Sequence, residues 1–184
     1  MLSARLRPGN ETAAVQIPSC SILHPPKIPR DETEGDGGYA LRRLEPLSAP
    51  TAGELQSHPT VRDALEQAWK DSRPEDPARR HEEGGWIYMD TATGEIAVRR
   101  QTAGQQASID LSRPPLLPGS VVVGKFHTHP NPSSEGWAPG PSRRDRQVDA
   151  LHGVPDLIRA DDGVHVSGPD SRRGGLAHGP GFPP

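Results

Sequence analysis

The run Val121-Val122-Val123-Gly124-Lys125-Phe126-His127-Thr128-His129-Pro130, followed by a Pro/Gly-rich loop and then Ser142-Arg143-Arg144-Asp145, decides how this chain reads. Three valines in a row favour a pleated, buried strand. Side chains two apart on a strand share a face, so His127 and His129 are expected to project together, with Thr128 on the other side. Pro130 has no N–H and stops the ladder. Two imidazoles on one side of a strand end make half of a metal site, because a catalytic zinc takes three protein ligands and keeps one position open.

The third ligand should come from the next element. Ser142 follows Pro141 as a helix N-cap, and Asp145 stands three residues on, in the first turn. That helix, expected over residues 142–152, aims Asp145 back at the strand end, with Asp149 and His152 one and two turns further as alternative ligands. A base is also needed, and Glu82 and Glu83, at the entry to an earlier strand, are the candidates.

Working outward, 184 residues allow one domain and some slack, and the apolar share of 32% with 20 glycines and 22 prolines is too poor for a core spread along the whole chain. Five of the aromatic residues, Trp69, Trp86, Tyr88, Phe126 and Trp137, cluster centrally. The domain is therefore expected at 52–170, with a disordered N-terminal tail over 1–51 and a flexible C-terminal tail over 171–184.

Within it, Val61, Ala64, Leu65, Ala68 and Trp69 fall on one helical stripe, predicting a helix capped by Thr60, ending near Ser72 and docking through Trp69. Residues 82–89 and 95–98 flank Thr91-Ala92-Thr93-Gly94 as a hairpin. Residues 107–111 suggest a further strand. Residues 156–160 and 164–167, around Asp161-Asp162-Gly163, predict a closing hairpin. The order implies helices on a mostly antiparallel mixed sheet, an α/β fold.

A net charge of −3 gives no case for a nucleic-acid or membrane partner. The single cysteine, Cys20, excludes an intramolecular disulfide, and no apolar run approaches a membrane span, so a cytoplasmic location is expected.

Together, Glu82 with Gly85-Trp86-Ile87, then His127-Thr128-His129-Pro130, then Ser142-Arg143-Arg144-Asp145, resemble the JAB1/MPN/Mov34 metalloprotease motif (JAMM), in its bacterial JAB-domain form. The resemblance covers residues 80–170. It implies a cytidine-deaminase-like curved mixed sheet flanked by helices, and one zinc per chain on His127, His129 and Asp145. It further implies Glu82 as the proton-shuttling base and Ser142 as an oxyanion donor. The activity implied is hydrolysis of a peptide or isopeptide bond, in a peptide or protein substrate such as a ubiquitin-like conjugate. The alternative is an inactive JAB/MPN-like protein-binding module. Deamination ranks below both, since no Cys-x-x-Cys pair is present. One departure is the gap of residues 130–141, longer than the family's, which makes a larger loop beside the metal with Trp137 at its tip.

Overall fold

The computed structural model describes residues 47–176; the expected N-terminal tail up to residue 46 and the last residues from 177 lie outside the described part. The chain order is α1 (Ala52–Ser57), α2 (Pro59–Asp71), β1 (Gly84–Asp90), β2 (Ile96–Arg100), β3 (Ser120–Thr128), α3 (Arg143–His152), β4 (Asp156–Ala160) and β5 (Gly163–Ser167). The strands form one mixed sheet in the order β2-β1-β3-β4-β5. All neighbours are antiparallel except β3 and β4, which run parallel and so need a crossover. That crossover is the 129–142 loop plus α3, which brings the start of α3 back beside the end of β3.

Both hairpins form as the turn chemistry predicts, and α3 starts at its expected cap. The second helix differs at its N-terminus. Pro59 occupies the first helical position and His58 is the N-cap, with no side-chain hydrogen bond, so Thr60 lies inside the helix rather than capping it. Proline suits that position because its missing N–H would be unpaired there in any case. A separate short helix precedes it, closed by a capping box between Thr51 and Glu54.

The expected strand at 107–111 does not form; only an isolated bridge joins Gln105 and Ser108. β1 and β3 are each already paired on both sides, and the free edges of the sheet belong to β2 and β5. Ile109 and Leu111 instead lie over Trp86, Tyr88 and Val122 as a cover. The other sheet face packs on α1 and α2 through Leu55, Val61, Leu65, Ala68, Ile87, Val123 and Phe126. Trp69 is only partly buried and lies under the Arg159 guanidinium, 4.7 Å from its ring centre.

One irregularity in β3 positions everything that follows. Ile87 pairs with Gly124 but Tyr88 with Val122, leaving Val123 as the extra residue of a β-bulge. A bulge switches the face on which later odd-numbered residues emerge. Val121 and Val123 therefore pack against the helices, whereas Lys125 and His127 emerge on the opposite face. Gly124 sits at the switch, where a Cβ would lie 2.8 Å from Leu55 Cδ1 and the Leu55 side chain would have to move aside.

The packed unit runs a little beyond residue 170. Ser171 bridges to Thr51, and the Arg172 side chain is buried, donating to the Val122 and Gly175 carbonyls. Among the described residues no helix is long and apolar enough to cross a membrane.

Candidate metal centre

His127 is the buried residue before the last of β3, and His129 lies just past the strand, half-buried, with its N–H on the Arg159 carbonyl. Their Nε2 atoms are 3.1 Å apart. Asp145 reaches them from the first turn of α3, Oδ1 lying 3.8 Å from His127 Nε2 and Oδ2 3.7 Å from His129 Nε2. Two atoms bound at zinc's usual length to one tetrahedral ion stand about 3.3 Å apart, so these separations suit a common cation. The set His127, His129 and Asp145 could hold a metal ion. The longer loop has not shifted the helix register, and neither alternative ligand joins the set. Asp149 binds Lys125 at 2.8 Å, and His152 packs its ring 5.2 Å from that of Trp86.

The proton positions make the case stronger. His127 Nδ1 faces the Asp156 carboxylate at 3.3 Å, and His129 Nδ1 faces the Pro139 carbonyl at 3.2 Å. Both partners only accept, so both Nδ1 atoms must carry hydrogen. In neutral rings both Nε2 lone pairs then point at each other and at the Asp145 carboxylate. That arrangement requires a positive charge at its centre, supplied by a proton on one ring or by a metal ion. The charge balance agrees. Burial opposes ionisation of His127, but Asp156 outweighs it and raises the pKa above that of free histidine, while burial and the neighbouring His127 lower that of His129.

Asp145 is held by a capping box. The Ser142 N–H donates to its Oδ2 at 2.6 Å, and its own N–H donates to Ser142 Oγ at 3.1 Å. Burial alone would raise its pKa, but Ser142 and the histidines bring it below the usual carboxylate value. The Ser142 hydroxyl accepts in this pair, which leaves its hydrogen to donate into the cavity it lines.

The two glutamates are separated by strand alternation. Glu83 is on the far side from the cavity, bound to Arg100 at 2.5 Å and His81 at 2.9 Å. Glu82 lines the cavity with His127, His129, Ser142 and Asp145. Burial, with smaller contributions from Asp145 and Asp156 against an opposing one from His127, pushes its pKa up to about 7. Backbone bonds to Gln105 and Gly104 fix its main chain.

The cavity has a volume of about 660 Å³ and extends from the centre between residues 107–112 and α3. Trp137, 43% exposed, and Leu151, 79% exposed, stand at its mouth. The loop that carries Trp137 is tied down by Arg80 to Glu135 at 2.6 Å and by Ser133 to Asp161. His81 serves Glu83, and His165 binds Asp162 at 2.7 Å, so neither histidine belongs to the centre.

Sequence reasoning missed Lys125 and Asp156. Both are buried, and Lys125 Nζ lies 2.6 Å from Asp156 Oδ2. The signal was present: a lysine between valines and a histidine in an otherwise apolar strand needs a buried anion. The chain is thus a mixed α/β protein with a candidate metal centre at the carboxyl end of its parallel strand pair. No family model, no curated protein and no solved structure matches it.

Proposed function

We propose that this protein is a zinc-dependent peptidase or isopeptidase of the JAMM type, acting on a peptide or on a ubiquitin-like conjugate. The observation that carries the proposal is the convergence of two Nε2 lone pairs and the Asp145 carboxylate, with Glu82 on the same cavity wall. His127, His129 and Asp145 would hold the zinc. When bound, zinc supplies Lewis-acid polarisation of a carbonyl and acidifies a water to a pKa of about 7.

The remaining roles belong to the chain. Glu82 takes a proton from the attacking water as its oxygen bonds to the amide carbon. It then returns that proton to the nitrogen as the C–N bond breaks. A carboxylate tuned to about pH 7 suits both halves of that task. The Ser142 hydroxyl donates to the oxygen on which negative charge develops. The apolar side of the cavity, Ile109, Leu111 and Val148, with Trp137 and Leu151 at the mouth, gives an extended substrate segment surface to bury.

The decisive experiment is metal content of the purified chain beside His129→Ala and Asp145→Ala. About one zinc per chain, lost in both variants, is the expected result. Glu82→Gln should then keep the zinc and lose ~10²–10⁴-fold in cleavage of ubiquitin-like conjugates and of a mixed peptide pool. Absence of zinc after reconstitution would overturn the hydrolase and leave the protein-binding module.

A further inference from the structure

Lys125 and His127 emerge on the same face of β3, and β4 pairs with β3 so that Lys125 is opposite Asp156. One Asp156 oxygen, Oδ2, binds Lys125 Nζ at 2.6 Å, and the other, Oδ1, faces His127 Nδ1 at 3.3 Å. Lys125 Nζ also binds Asp149 Oδ1 at 2.8 Å. Asp149 is four residues after Asp145 on α3, so one ammonium ties the helix bearing Asp145 to the strand bearing Asp156. No more than 3% of any of the four residues is exposed.

A buried lysine with two buried aspartates is an expensive way to fasten a helix to a sheet, since well-packed apolar residues do this at least as well. The arrangement leaves Asp156 Oδ1 as an acceptor aimed at the ring nitrogen of one histidine. From this we propose that Asp156 is a positioning residue for the metal centre. It fixes His127 as the Nδ1–H tautomer, with its Nε2 lone pair toward His129 and Asp145, while Lys125 holds Oδ2 so that Oδ1 stays on the ring. The inference rests on the metal-centre reading for its purpose, although the tautomer itself exists without metal. Outer carboxylates of this kind change metal affinity by 10–100-fold when removed.

The test is Asp156→Asn, read by ¹⁵N NMR of the imidazoles in metal-free protein at alkaline pH, where the rings are neutral. An asparagine that keeps its oxygen on Lys125 must turn its NH₂ toward His127 and so draws the ring proton to Nε2. The expected result is an Nδ1–H ring for His127 in the wild type and Nε2–H in Asp156→Asn. His129, held by the Pro139 carbonyl, should stay Nδ1–H in both. Zinc affinity by chelator competition should fall 10–100-fold. Asp149→Asn serves as the control for a buried charge lost from the same cluster, and should leave the His127 tautomer unchanged.

Two results overturn the proposal. One is Nε2–H on His127 in the wild type, which is decisive even if Asp156→Asn does not fold. The other is an unchanged tautomer and unchanged zinc affinity in a folded Asp156→Asn. If the tautomer switches as described but the wild type binds no zinc, the positioning role stands and the zinc peptidase falls.

Discussion

His127 is the residue on which the centre turns. Its ring has an acceptor at each nitrogen, Asp156 at Nδ1 and the His129 lone pair at Nε2, so when the metal-free ring takes up a second proton, at Nε2, the charged form donates to both. Its pKa is raised above the free value despite burial, because Asp156 stabilises the charged ring. A metal must displace that proton, since only the neutral ring has a lone pair to give. The sign follows: lowering the pH favours the protonated ring and weakens zinc binding, and raising it strengthens binding until His127 is neutral. Zinc affinity measured by chelator competition should climb about tenfold per pH unit below the titration of His127 and level off above it. An affinity flat with pH through that range would mean that His127 is not a ligand.

At the scale of elements, α3 has two tasks that one side chain separates. Ser142 caps the helix through its hydroxyl but anchors Asp145 through its backbone N–H. Ser142→Ala removes only the first of these contacts. The variant is expected to lose about 1 kcal/mol of stability in urea denaturation, to keep its zinc, and to lose ~10²–10³ in turnover through the missing oxyanion donor. Loss of zinc together with the hydroxyl would show instead that the cap itself sets the position of Asp145. β3 is divided in the same sense, its first half serving the core and its second half the centre, with the bulge at Val123 between them.

Across the whole molecule, the sheet separates an apolar side under α1 and α2 from a side carrying buried charge, and the second side makes stability depend on pH. His152 packs against Trp86, and burial brings its pKa down to about 4. Between the unfolded value near 6.5 and the folded one, the unfolded chain binds the extra proton, so stability falls as pH falls through that window. Glu82 works the other way, because its raised pKa makes the fold gain relative stability as pH drops from about 7. The difference between wild type and His152→Gln isolates the histidine. Urea denaturation of the metal-free proteins should show the variant losing less stability between pH 6.5 and 4, by no more than about 3 kcal/mol. Parallel curves would place His152 outside this balance. Local patterns in the sequence were enough for the α2 stripe, both hairpins, the Ser142 cap and the shared face of His127 and His129, because each depends on residues within a turn or a strand of one another. They also pointed to His127, His129 and Asp145 as a metal set, while Glu82 was preferred to Glu83 only through the family resemblance. The tertiary structure decided what depends on distant partners. Arg100 and His81 claim Glu83 and leave Glu82 to the cavity, Asp156 meets His127 across the parallel pairing, and residues 107–111 become a cover because Ile109 and Leu111 bury against Trp86, Tyr88 and Val122 on the sheet face. The bulge at Val123 belongs with these, since it is defined only against β1, and strand periodicity alone would have put Val121, Val123, Lys125 and His127 on one face.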